Sequence, residues 1–107
     1  MEIIKMKDMK GGWFIGDFEP VAYRSDSFEV GYAQHKKGDK WDTHYHKESD
    51  EINYMIKGEI LMQGKKITKG DIFILKKYEV ADPVFLSDVE VIVVKTPSSK
   101  NDKYVVK

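Results

Sequence analysis

The chain has 107 residues, and its 18 Lys plus Arg balance 18 Asp plus Glu, so no basic excess exists to hold a phosphate backbone or an anionic lipid surface; nucleic acid and membrane are set aside as partners. That length serves one domain, residues 1–107, with a single core. The absence of cysteine excludes a disulfide framework, a thiolate nucleophile and a cysteine-based zinc or iron–sulfur site, so any metal must sit on nitrogen and oxygen ligands.

The opening run, residues 1–8, scatters charges among apolar residues and lacks the continuous apolar stretch of a signal peptide. No run approaches a membrane span, and a cytoplasmic location is the default expectation. From there the chain reads as short strands with almost no helical period. Strands are expected at Trp13 to Ile15, Val21 to Tyr23, Phe28 to His35, Trp41 to His46, Glu51 to Ile56, Glu59 to Gln63, Ile72 to Leu75, Val80 to Phe85 and Val89 to Lys95. Turn signals separate them, among them Lys37-Gly38-Asp39, Lys57-Gly58, Gly64-Lys65 and Lys69-Gly70-Asp71. Strands at this even spacing, rich in Val, Ile, Phe and Tyr, predict an all-β antiparallel sandwich or barrel. Residues 1–20 and 97–107 are read as peripheral segments. The tail opens as a polar loop and ends Tyr104-Val105-Val106, which either adds an edge strand or swaps onto a partner.

Several strands are apolar on both faces. In Glu51 to Lys57 the odd positions hold Glu51, Asn53 and Met55, and the even positions hold Ile52, Tyr54 and Ile56. If the odd face looks inward, the even face is an apolar stripe that something must cover; Ile72 to Leu75 and Ile92 to Val94 share this character. A second sheet or the N-terminal segment with Trp13 and Phe14 is one cover, and a homodimer interface is the other and the one expected.

The chemistry concentrates between Gly38 and Gly58, where Gly38, His44, His46, Glu51 and Gly58 read G-x5-H-x-H-x4-E-x6-G. His44 and His46 leave the same face of a strand, and Glu51 opens the next apolar run. If the two segments pair as antiparallel neighbours, two imidazoles and one carboxylate converge and can hold one divalent metal ion. The bland alternative is a pair of solvent-facing histidines in a polar loop. His35 is expected at the surface or rim, Trp41 over the barrel mouth, Tyr45 pointing away from the histidines, and Gln34 sharing a face with Phe28, Val30 and Tyr32 that could supply a polar contact inside.

The segment from Gly38 to Gly58 resembles the first motif of the cupins, and Gly70-Asp71-Ile72-Phe73-Ile74-Leu75 resembles the opening of the second, G-x5-P-x-G-x2-H-x3-N. The resemblance implies an antiparallel jelly-roll barrel, the double-stranded β-helix, with His44, His46 and Glu51 as metal positions inside it. The later part of the second motif departs from the pattern: Lys76 stands for its proline, Tyr78 for its glycine, Ala81 for the histidine that would be a fourth ligand, and Phe85 for its asparagine. Two His and one carboxylate still offer a facial set of three, suited to Fe, Mn, Ni or Zn with open positions for a ligand. Asp82 is the nearest substitute donor, but it lies one residue out of phase and would need a bulge to turn inward. If the turn at Tyr78 needs a positive φ, a tyrosine there is strained, and the loop from Lys76 to Val80 is expected to take another shape.

What the resemblance implies about activity is broad: a small polar ligand such as a sugar, nucleotide sugar or carboxylic acid, bound or transformed at the metal, with catalytic residues unassigned. One alternative is a metal-free sugar or sugar-nucleotide isomerase or epimerase, with His44 or His46 as base and a barrel tyrosine such as Tyr32 as acid. The other is a non-catalytic ligand-binding barrel. No nucleophilic serine motif, phosphate-cradling glycine loop or nicotinamide fingerprint is present.

Overall fold

The structure, a computed structural model, describes residues 1–106. After a 3₁₀ turn at Met6–Asp8 the strands are β1 (Trp13–Gly16), β2 (Tyr23–Arg24), β3 (Glu29–His35), β4 (His44–Tyr45), β5 (Asp50–Lys57), β6 (Glu59–Met62), β7 (Lys65–Thr68), β8 (Ile72–Leu75), β9 (Val84–Phe85), β10 (Val89–Thr96) and β11 (Tyr104–Val105). They form a six-stranded sheet in the order β2-β1-β3-β10-β5-β8, a three-stranded sheet β7-β6-β9 and a two-stranded sheet β11-β4. Among the described residues, no helix is long and apolar enough to cross a membrane.

The period-two pattern decides which residues face inward. Register places Gly31, Val93, Asn53 and Phe73 side by side across β3, β10, β5 and β8, and Tyr32, Ile92, Tyr54 and Ile72 on the opposite face. The first face is the interior, where Met55, Val89, Val91, Val93 and Leu75 meet Ile60, Met62 and Phe85 from the smaller sheet. Trp13 packs on the same inner side, against Gly31, where a Cβ would come within 2.7 Å of its ring. Trp13 therefore does not cover the outer stripe, contrary to one of the two covers considered.

Several local outcomes differ from the sequence reading, each for an identifiable reason. The strand expected from Trp41 shrinks to His44–Tyr45, which pairs with Tyr104–Val105 of the same chain and bridges to Ala81. The strand expected from Val80 shrinks to Val84–Phe85, preceded by Pro83, which has no N–H to donate. β7 was not expected, since Lys65-Lys66-Ile67-Thr68 has no apolar run. It forms because Gln63 and Gly64, with φ of 50° and 72°, make a two-residue hairpin loop with both φ positive. Tyr78 does adopt a positive φ, 69°, instead of reshaping the loop. Its N–H donates to the His46 carbonyl at 2.6 Å and its ring stacks on Tyr45 with centroids 6.2 Å apart, so local contacts offset the strain.

The two motif glycines serve different ends. Gly58 alone joins β5 to β6 with φ 92°, and a Cβ there would lie 2.1 Å from the Asp88 carbonyl oxygen; Gly38, φ 81°, faces open space. Gly38→Ala should therefore cost only the left-handed backbone penalty, about 1–2 kcal/mol, while Gly58→Ala adds a backbone clash and should cost at least about 3 kcal/mol. Urea denaturation of both variants checks this, and equal losses would contradict it.

Candidate functional site

The two motif segments do not pair as neighbours: β4 belongs with β11, whereas β5 lies between β10 and β8. His46 meets Glu51 across the barrel interior rather than along one ladder, with the His44 ring beside that of His46. All three line a cavity of about 480 Å³, together with Asn53, Phe73, Phe85, Trp41 and Ala81.

His46 is 5% exposed, and its Nδ1 contacts the main-chain oxygen of Asp102. A carbonyl only accepts, so Nδ1 carries the hydrogen and Nε2 of the neutral ring is left as a bare lone pair. That Nε2 is buried without a hydrogen-bond partner, and it stands 3.5 Å from Glu51 Oε1. Only a doubly protonated ring would make this gap an ion pair. In the neutral ring two acceptors face each other, and a cation between them would satisfy both. Two donors on one ion at about 2.1 Å each stand roughly 3.0–3.5 Å apart, so the spacing fits a shared metal.

Glu51 is fixed from its other side by the Asn53 side-chain amide, which donates to Oε2 at 3.0 Å. Burial works to raise its carboxyl, while the Asn53 amide and the Lys95 ammonium work to lower it; His46 joins them in lowering it only where its Nε2 carries a proton. His44 donates from Nδ1 to the Asp42 carbonyl at 2.8 Å, which likewise leaves Nε2 as the free donor. Burial lowers its pKa below the ordinary 6.5, the Asp42 bond acting against that, so it is neutral at pH 7. Its ring centroid lies 5.3 Å from that of His46. Among the described residues, however, no three His, Asp or Glu side chains already stand as a ready ligand set. His46 and Glu51 form the close pair.

Ala81, at the fourth-ligand position, is buried and lines the cavity. Asp82 does not replace it: its Oδ1 accepts the Gln63 N–H at 2.8 Å on the exposed side, as the one-residue phase shift requires. Tyr32 is corrected as an interior group, whereas Gln34 borders the cavity. Tyr32 lies on the outer face bonded to Glu90, and Gln34 Nε2 donates to its hydroxyl at 3.1 Å. His35 is half-buried at the cavity wall, stacked on Phe85 at 4.4 Å and edge-on to Trp41 at 5.0 Å. Tyr45 points away from the histidines, between Tyr78 and Tyr104.

Asp102 was missed. Its carboxylate accepts the N–H groups of Lys47, Glu48 and Ser49 at 2.9–3.1 Å, and the Ser49 hydroxyl donates to the Pro97 carbonyl at 2.8 Å. The turn between His46 and Glu51 is thus buckled to the C-terminal segment, whose carbonyl also orients His46. No spacing signals this, because 56 residues separate His46 from Asp102.

No protein-family model matches the chain, and no curated protein does. Solved structures do. A Klebsiella pneumoniae protein of uncharacterised role with a double-stranded β-helix domain is 18% identical over 77% of this chain and 72% of its own, with a TM-score of 0.69. KdgF from Halomonas sp. is 21% identical over 72% and 74%, with a TM-score of 0.65. An RmlC-like cupin family protein from Methanocaldococcus jannaschii is 20% identical over 69% and 73%, with a TM-score of 0.59. At these identities the likeness establishes the fold: the chain is a cupin-type double-stranded β-helix.

Removing the Asp102 clamp should loosen the site and the fold together. Burial works to raise the Asp102 carboxyl, yet its three N–H donors outweigh it and hold it below the ordinary 3.8. Its contribution is therefore complete above that unfolded-state value and is lost as pH falls through the lower folded-state one. Asp102→Ala should cost about 2–4 kcal/mol at pH 7 and show a weaker stability loss on acidification, measured by urea denaturation across pH. An unchanged stability would mean that the clamp contributes nothing.

Proposed function

We propose that this cupin-fold barrel holds one divalent metal ion on His44, His46 and Glu51, and that a small polar ligand completes the ion's coordination inside the cavity. The observation that carries the reading is the buried, unpartnered His46 Nε2 3.5 Å from a Glu51 carboxyl oxygen. A bound Fe, Mn, Ni or Zn ion would supply Lewis-acid polarisation of a ligand oxygen. The chain's own groups do the rest. The Asp102 and Asp42 carbonyls fix the imidazole tautomers, Asn53 holds the Glu51 carboxylate, and Phe73, Phe85 and Trp41 line the cavity.

The metal-free isomerase reading has less support, because Tyr32 lies outside and no tyrosine is among the described residues that line the cavity. A barrel that binds without turnover would use the same residues, since one fold hosts many chemistries.

Chelator-treated protein should gain stability when Ni²⁺, Mn²⁺, Fe²⁺ or Zn²⁺ is added. At one hundred times Kd the gain is about 2.7 kcal/mol, or on the order of 10 °C in Tm. The His44→Ala/His46→Ala variant should lose that shift, and a shift that survives would sink the proposal.

We also propose that a second copy of the chain covers the outer face. There Ile72, Tyr54 and Ile74 are 67%, 46% and 50% exposed, beside Ile52, Ile92 and Val94 on neighbouring strands. Light scattering after size exclusion should give a dimer for the wild type and a monomer for Ile72→Glu/Ile74→Glu. A monomeric wild type would overturn this assembly.

A further inference from the structure

A second cavity, about 620 Å³, lies between the N-terminal segment around Trp13 and the loop after Pro97. It shares Gly11, Trp13, Lys95 and Lys103 with the His–Glu cavity, so the two adjoin. Its charges are unevenly answered. Asp17 and Glu19 are both bound by Arg24, and the Asp102 carboxylate is taken up by backbone N–H groups. Glu29 is the remaining carboxylate in the wall. Against it stand Lys10, Lys95, Lys100 and Lys103, none of them ion-paired among the described residues.

Lys95 is the informative one. Register sets it between Glu29 on β3 and Glu51 on β5, yet it pairs with neither and instead holds its ammonium 5.2 Å from the centre of the Trp13 ring. Lys103 sits in the same way over Trp41, at 4.9 Å. Two aromatic faces thus steady two ammonium groups where the cavities meet, and the hydrogen-bonding capacity of both remains free.

We propose that this second cavity is an anion site, which takes a phosphate or carboxylate group of the ligand through Lys95, Lys103 and their neighbours Lys10 and Lys100. The ligand of the barrel is then an anionic molecule that reaches from the lysine cavity to His44, His46 and Glu51. Only that last connection rests on the proposed metal reading; the lysine site needs no ion. With Arg24, five cationic groups face the four carboxylates Asp17, Glu19, Glu29 and Asp102, a small positive excess in a chain whose overall charge is zero.

The test uses inorganic phosphate and malonate as probes on the full chain in a phosphate-free buffer with EDTA, read by the chemical shift of the Trp13 indole N–H. Trp13→Phe identifies that signal. Titration should move it saturably at millimolar probe, less at high salt, and equally in His44→Ala/His46→Ala. Lys95→Gln should weaken the response roughly tenfold, which corresponds to about 1.4 kcal/mol. Lys100→Gln/Lys103→Gln, changed at exposed positions, gives a second reading should Lys95→Gln fail to fold. A tighter response to phosphate assigns a phosphoryl group, and a tighter response to malonate assigns a carboxylate. No movement with either probe, or an undiminished response in the lysine variants, overturns the proposal. So does a response lost in His44→Ala/His46→Ala. If the wild type binds anions here but no divalent ion anywhere, the lysine site stands and the metal reading falls.

Discussion

Strand β10 hydrogen-bonds to β3 on one side and to β5 on the other, and most of the interior depends on that double register. A slip of one residue would carry Val91, Val93 and Lys95 outward and bring Ile92 and Val94 in. It would also break the alignment that sets Glu29, Lys95 and Glu51 abreast at one end of the inner face. The slip is opposed because Val89, Val91 and Val93 are buried against Met55, Ile60 and Phe85. Core packing and site geometry therefore come from the same alternation. The apolar length of β10 fixes the phase, and the polar residues at its end inherit their positions from it.

The candidate site adds a second constraint, which is local and polar. β4 is only His44–Tyr45, too short to hold two imidazoles in place by its own ladder. The C-terminal segment supplies what that strand lacks. β11 pairs with β4, the Asp102 carboxylate gathers the turn after His46, and the Asp102 carbonyl orients the His46 ring. The same residue thus organises both the backbone and the side chain of the motif. Its consequence for chemistry is that the free nitrogen of a buried ring points at a carboxylate, an arrangement that is costly unless a cation or a proton lies between.

The sequence carried the architecture well, because alternation over β5, β8 and β10 is long and regular and the inner positions Asn53 and Met55 follow from parity alone. The same parity explained why Asp82 does not turn inward. It failed where long-range contacts decide. The shortening of the strands at Trp41 and Val80, the placing of Trp13 inside, and the outward turn of Tyr32 depend on which strands become neighbours, and sequence spacing does not contain that. Asp102 and Lys95 were missed for a related reason: each acts through partners in distant segments, and neither belongs to a motif. Tyr78 shows the reverse error. Its strain was anticipated, but the stacking on Tyr45 and the bond to His46 that make it tolerable come only with the fold.

Ala81 connects these strands of argument. It sets a methyl group at a buried position bridged to His44, where the motif this segment resembles has a histidine, so the cavity has room at that point. On the proposed reading, fewer protein donors leave more of the coordination sphere to the ligand, and affinity and selectivity come to depend on what else the cavity offers that ligand. What it offers, at the junction with the second cavity, is ammonium groups steadied on tryptophan faces. An anionic ligand would bring oxygen donors toward the position that Ala81 leaves open while its charge is met by Lys95 and Lys103. A neutral sugar would leave those lysines unanswered. The departure from the resembled motif at Ala81 and the unpaired lysines thus favour the same kind of molecule, from two parts of the chain that share no motif.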